Sequence, residues 1–216
     1  MFVTFEGLDF SGKTTQAQRL VEKLKRSGHG DAEAQPGVHF LREPGGTGIS
    51  ERLRDILLDR NNLEMSDLTE LLLFSASRAQ LVTQVILPAL RRNEIVICDR
   101  YYDSTTAYQG FGRGLDIDAI CRINTIATAG TTPDLTFLVD ITVDEVERRK
   151  AAAGLVFDRM ENSGRAFYER VRNGYRTLAK QEPGRVILID GMAPIGAVEE
   201  EIWRQFNNNQ RKWKRS

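Results

Sequence analysis

The segment GLDFSGKT at residues 7 to 14 constrains the architecture of this chain more than any other stretch. It follows the apolar run FVTF (2 to 5) and precedes TQAQRLVEKL, where apolar residues return at helical spacing, so it lies where a strand hands over to a helix. Its spacing matches GxxxxGK[ST], a loop whose backbone N–H groups wrap a polyphosphate while the lysine reaches the outer phosphates. Gly7 and Gly12 permit backbone conformations and close approaches that a side chain blocks. Lys13 supplies a point charge, and the Thr14 hydroxyl is of the kind that ligates Mg²⁺.

The rest of the chain repeats this strand-then-helix alternation. Short runs rich in β-branched or aromatic residues occur at 2 to 5, 38 to 41, 95 to 98, 135 to 139 and 186 to 189, each separated from the next by helical periodicity. Ala17, Leu20, Val21 and Leu24 share one helical face, as do Ile49, Leu53, Ile56 and Leu57. A long segment runs from Asp67, read as a cap with Glu70 three residues on, to Arg91, and Pro88 is expected to kink its last turn. TVDE (142 to 145) is a capping box opening another helix. Val171, Tyr175 and Leu178, then Val198, Ile202 and Phe206, complete the set. The pattern predicts an α/β fold, a doubly wound parallel sheet with ligands at the carboxyl ends of its strands. The polar stretch 27 to 37 reads as a surface loop.

Composition narrows the partners. Thirty basic residues balance thirty acidic ones, so no global field draws nucleic acid or a membrane surface, and a small ligand is implied. The two cysteines, Cys98 in an apolar run and Cys121 in a helical pattern, are expected to pack in the core. The first strand begins at residue 2 and no apolar stretch approaches the roughly 20 residues of a membrane span, so a soluble cytoplasmic protein is expected. No linker divides the 216 residues, which read as a single domain with a basic tail, QRKWKRS, at 210 to 216.

Three further stretches carry chemistry. IVICD ends a strand at Asp99, where a carboxylate would hold a metal through water; Asp140, ending LTFLVD, competes for that role, and Arg100 makes the Asp99 site richer. DRYYDSTTAYQG starts a helix that puts Tyr101, Thr105 and Tyr108 near one face, with Gln109 one turn beyond Thr105. LLLFSASRAQ sets Phe74 and Arg78 four apart on one face: an aromatic plane to stack on a nucleobase beside a guanidinium fork, whose burial demands an acceptor. LREPGGTG leaves the second strand with a charge pair and a Pro/Gly turn, readable as a loop or as part of the site.

FEGLDFSGKTTQ, REPGGT, LLLFSASRAQ and DRYYDSTTAYQG, in this order and at these separations, closely resemble the bacterial thymidylate kinase family over about residues 1 to 205. The resemblance implies a P-loop nucleoside monophosphate kinase fold, with a five-stranded parallel sheet flanked by helices in one domain (1 to 209) and a short lid at 148 to 164. It implies transfer of the γ-phosphoryl of ATP to dTMP with Mg²⁺, in a homodimer assembled partly through 67 to 91. By the same resemblance, the ATP site comprises Gly7, Leu8, Asp9, Phe10, Ser11, Gly12, Lys13, Thr14 and Thr15. Phe74 would stack on thymine, Arg78 would bond its O4, and Thr105 with Gln109 would address the pyrimidine edge. Arg100 and Arg54 would hold the acceptor phosphate, Glu43 would lie near sugar and metal, and Tyr108 would sit against the 2′ position. Asp9 would lie by the 3′ hydroxyl and phosphate as an organiser, because a phosphate acceptor needs no general base.

One departure stands out: Phe10 replaces the small residue, often glycine, usual in the family. The phosphate loop carries no arginine, so the segment 148 to 164 resembles the lid type, with FDRME as its core. Arg149 and Arg159 would form the lid clamp, and Arg159 would meet the transition-state charge. A related kinase of different base preference and a non-catalytic nucleotide-binding module share most of these features. A GTP switch does not, since no NKxD segment is present to read guanine.

Overall fold

The computed structural model describes residues 1–28, 37–154, 159–160 and 164–213, with side chains up to residue 210. In chain order the elements are β1 (Phe2–Glu6), α1 (Lys13–Arg26), β2 (Val38–Arg42), α2 (Gly48–Leu58) and α3 (Asp67–Leu81). A π-helical turn (Val82–Ile86) leads into α4 (Leu87–Arg91), then β3 (Ile95–Asp99) and α5 (Tyr102–Thr105). A second π-helical stretch (Thr106–Gly112) precedes α6 (Ile117–Ala127), β4 (Leu135–Asp140), α7 (Val143–Ala153), α8 (Arg165–Gln181), β5 (Val186–Asp190) and α9 (Ile195–Trp213).

The five strands form one parallel sheet in the order β2-β3-β1-β4-β5, as the alternating pattern predicts. Every residue of β1 is buried, because helices cover both faces of a parallel sheet. Val3 and Phe5 point into a core built with Leu20 and Leu24 of α1 and Ile202 and Phe206 of α9. Phe2 points the other way, against Leu81, Ile86 and Tyr101, as the two-residue period of a strand requires. The crossovers diverge on either side of β1, so the phosphate loop emerges at the switch point between β3 and β4, where Phe5 pairs with Asp99 and Phe137.

Several local expectations are corrected. The cap of α3 is Ser66, whose hydroxyl accepts from the Thr69 N–H; Glu70 is buried and serves elsewhere. The break anticipated at Pro88 lies one turn earlier, as the π-helical turn, which leaves Pro88 in the first turn of α4 where no N–H is required. The run 67–91 also has the length and composition of a membrane span, with a window of mean hydropathy 1.3. That contradicts the expectation that no stretch approached this length, yet Glu70 and Arg78 within it meet charged partners inside the protein. Cys98 is buried, but Cys121 is exposed. On α2 only Leu57 of the four apolar residues is fully buried, while Ile49 and Ile56 are exposed. Helix α9 runs through residue 210 to Trp213, so the basic tail begins inside a helix. Most of the polar stretch 27 to 37, and the lid residues 155–158 and 161–163, lie outside the described residues.

Candidate active site

The phosphate loop needs backbone that most residues resist. Gly7 has φ of +139°, and a Cβ there would lie 2.4 Å from the Val139 carbonyl. Gly12, at φ +90°, precedes α1 with no side-chain cap. The first N–H groups of α1 are therefore left to an anionic ligand, the dipole of the helix adding to their pull. Phe10 adopts φ of +63°, a left-handed conformation that glycine reaches without steric cost. For a bulky side chain such a conformation costs on the order of 1–3 kcal/mol. The Lys13 ammonium donates to the Leu8 carbonyl at 3.3 Å and lies 4.0 Å from Asp9. Burial pushes the Asp9 carboxyl up, but Arg100, Lys13 and the Tyr108 hydroxyl together outweigh it and hold it below the usual carboxylate range. Asp9 is thus a fixed anion, suited to organising cations.

The Thr14 hydroxyl donates to Asp99 Oδ2, and Asp99 Oδ1 is buried without a partner among the described residues. This pair fits a divalent cation that takes one hydroxyl, a water-bridged carboxylate and phosphate oxygens. No cluster of three or more His, Cys, Asp or Glu side chains suited to a metal occurs among the described residues. Asp140, the alternative, is clamped by Arg172 at 2.8 and 2.9 Å and has a structural partner instead.

Beyond Lys13 opens a cleft of about 280 Å³, lined by Asp9, Phe10, Thr14, Glu43, Arg54, Phe74, Arg78, Asp99, Arg100, Thr105, Tyr108 and Gln109 among others. The four motifs separated in sequence therefore converge. Arg100 is its most connected cation. Its NH1 donates to Gly7 O, Ser104 Oγ and Tyr175 OH, and its NH2 to Asp9 and Tyr108 OH. Its backbone has φ of +69°, a strained conformation fixed by its N–H on Phe5 O at 2.9 Å and by the next N–H on Glu6 Oε1 at 2.7 Å. Burial, reinforced by Asp103, pushes the Glu6 carboxyl up to about 7 against the pull of Ser104 and Arg100.

The demand of buried Arg78 for an acceptor is met mostly within the protein. Its Nε donates to Glu43 at 2.7 Å, its NH1 to Thr105 and Asn124, and its NH2 to Tyr101 O. Of the five N–H groups of a guanidinium, these partners among the described residues leave one for a ligand. Burial pushes the Glu43 carboxyl up to about 7 despite Arg78, and its Oε1 has no partner among the described residues. Arg54 donates to the Pro44 carbonyl, at the turn of REPGGT. Two expected base readers are already engaged: Thr105 by Arg78, and Gln109, whose amide donates to Glu70 at 2.9 Å.

The two lid arginines part company. Arg149 touches the phosphate loop, donating to Phe10 O at 3.0 Å and Ser11 O at 3.3 Å, and to Gly191 O at 3.0 Å. It borders a second cavity of about 250 Å³ on the opposite side of the loop, between Ser11, Gly12, Thr15, Gln16 and Val139 and the start of α9. Arg159 borders neither cavity. It is 9 % exposed, pairs with Glu70 at 2.6 Å and donates to Leu57 O. Arg159, expected to meet the transition-state charge, is here paired with Glu70, and the arginine bonded to the phosphate loop is Arg149.

Sequence reasoning missed Ser104, Tyr175 and Tyr168, whose hydroxyls reach Arg100 or Asp9. The signal was available for the tyrosines: seven residues apart, they share one face of α8. It also missed Glu6, a charge closing an otherwise apolar strand, and the walls Leu58 and Met160.

A family model described as thymidylate kinase matches residues 5–202. Thymidylate kinase of Chlorobaculum tepidum is 45% identical over 94% of this chain and 94% of its own length. That of Prosthecochloris aestuarii is 47% identical over 94% and 91%. The crystal structure of thymidylate kinase from Ehrlichia chaffeensis superposes with a TM-score of 0.76 at 36% identity, covering 96% of this chain and 98% of that one.

Proposed function

The chain belongs to the thymidylate kinase family, and we propose that the two cavities bordering the phosphate loop are its donor and acceptor sites. It is an ATP-dependent dTMP kinase, passing the γ-phosphoryl of ATP to dTMP to give dTDP. The observation that carries the assignment of sites is the seam: the uncapped start of α1 with Lys13 on one side, Arg100 and Asp9 on the other.

On the donor side the N–H groups of the loop and Lys13 hold the β- and γ-phosphates, and the adenosine lies in the cavity bordered by Arg149. Thr14, with Asp99 through water, would hold Mg²⁺, which when bound neutralises charge on the phosphate oxygens. On the acceptor side Phe74 stacks on thymine, and the remaining N–H of Arg78 points its hydrogen-bonding capacity at the base. Tyr108 stands beside the sugar, and Arg100 with Arg54 grips the phosphate. Phosphoryl transfer asks the protein for position and positive charge more than for bond-making groups. Asp9 fixes Arg100 and Lys13 at the point where the two phosphate chains meet, so both cations face the moving group without repacking.

Replacing Phe74 by Ala is expected to weaken dTMP by about 5- to 150-fold, the equivalent of a stacking contribution of roughly 1–3 kcal/mol. ATP should bind as before. Calorimetric titration of each nucleotide checks this; equal weakening of both would remove the stacking assignment.

We read residues 1 to 209 as one kinase domain and place the enzyme in the cytoplasm as a homodimer. Ile49 and Ile56 of α2, Leu68 and Leu72 of α3 and Ile126 of α6 are large apolar side chains left exposed on helices that pack together. A second copy of the same face would cover them. Ile56→Asp combined with Leu72→Asp should halve the sedimentation mass, and an unchanged mass would place the interface elsewhere.

A further inference from the structure

Glu70, Phe74 and Arg78 follow one another at intervals of four along α3, and Thr105, Gln109 and Arg113 do the same along the helix opposite. The two rows meet as an antiparallel ladder. Arg78 bonds Thr105 at one end, and Glu70 receives Gln109 at 2.9 Å and Arg113 at 3.1 and 3.2 Å at the other. Glu70 is 1 % exposed and also takes Arg159 at 2.6 Å, so one buried carboxylate serves two guanidiniums and an amide. Arg159 is further held by Leu57 O through its Nε and by Leu58 O through its N–H. Its neighbour Met160 is 6 % exposed and accepts a contact from Arg113 at 3.7 Å. Leu58 and Met160 both line the cleft beside Phe74.

We propose that Glu70 is a positioning residue for the acceptor half of the reaction: through Arg159 it seats Met160 and Leu58 as the wall facing Phe74. Phe74 supplies one side of a slot for a flat base, and without a fixed opposite wall that slot has no set width. Burial pushes the Glu70 carboxyl up, but Arg113 and Gln109 with Arg159 outweigh it and keep it an anion, so the anchor is charged. Arg159 works here through Met160 and Leu58, away from the donor phosphates.

This inference rests on reading the cleft as the dTMP site, and the two are tested separately. The chain has four methionines, so ¹³C-methyl labelling gives Met160 its own resonance. Addition of dTMP to the wild type must move that resonance; if it does not, the acceptor-site reading itself fails. In Glu70→Gln the free protein's Met160 signal should move toward that of a solvent-exposed methionine. The kcat/KM for dTMP should fall about 10- to 100-fold, mainly through KM, with the KM for ATP unchanged. Arg159→Gln should reproduce both effects and carries the test if Glu70→Gln does not fold. Arg159→Lys, which keeps a cation for Glu70, should lie between. An unmoved Met160 signal, equal losses for both nucleotides, or a rise in kcat on freeing Arg159 would each overturn the proposal.

Discussion

Lys13→Ala is expected to lower kcat by about 10²- to 10³-fold and to leave dTMP affinity within about twofold of the wild type, the scale that follows when one preorganised charge is removed from a developing anion. The loop that presents Lys13 is built from three left-handed residues, Gly7, Phe10 and Gly12, and among the described residues the ammonium's partners are the Leu8 carbonyl and the more distant Asp9. A polyphosphate supplies the oxygens it lacks. Its removal should therefore act on the donor and on the charge that builds up during transfer, whereas Phe74 and Arg78, proposed to bind the acceptor, lie on another helix. Steady-state turnover at saturating ATP and dTMP, with calorimetry of dTMP alone, separates the two effects. Wild-type turnover in the variant would remove the loop from the donor site.

Arg100→Lys should be nearly as severe, cutting kcat/KM for dTMP by about 10²-fold although the charge is conserved, because a lysine cannot reproduce a planar fork. The guanidinium holds Gly7 O, Ser104, Tyr175, Asp9 and Tyr108 at once. A single ammonium on a flexible stem would leave several of these buried groups unmet, and Asp9 held only by Tyr108, Tyr168 and Lys13 among its described partners. ATP affinity should change little. A variant with wild-type kcat/KM would show that only the charge at this position matters, and that the fork and its strained backbone contribute nothing.

What the sequence disclosed and what it withheld divide along a physical line. Features encoded by neighbouring residues were legible: the five strands from their apolar runs, the loop from its glycine spacing, the face of α1 from its period, and the cap of α7 from Thr142 and Glu145. Groups whose partner lies far along the chain were not. Arg159 resembles a lid arginine through the FDRME segment, but that its side chain pairs with Glu70, 89 positions earlier by the difference of the two residue numbers, was not readable there. Glu70 in turn fits a helix-start pattern, and only packing shows that Ser66 makes the cap unaided. The period of α2 correctly marks Ile49 and Ile56 as one apolar face, but periodicity does not say whether such a face meets its own core or another chain. Arg78 shows the same limit from the other side: burial was readable from its apolar surroundings, while the acceptors that satisfy it come from the turn after β2, the residue before α5, α5 itself and α6.

The central claim is that donor and acceptor meet head to tail across the seam between Lys13 and Arg100. Thymidine and adenosine joined 5′ to 5′ through five phosphates test it directly, since one such molecule spans both cavities only if they are collinear through that seam. Calorimetry should give one molecule bound per chain, tighter than either nucleotide alone because the second half binds at high effective concentration, with dTMP and ATP both displaced. Displacement of only one nucleotide, with the affinity of the other unchanged, would contradict the account.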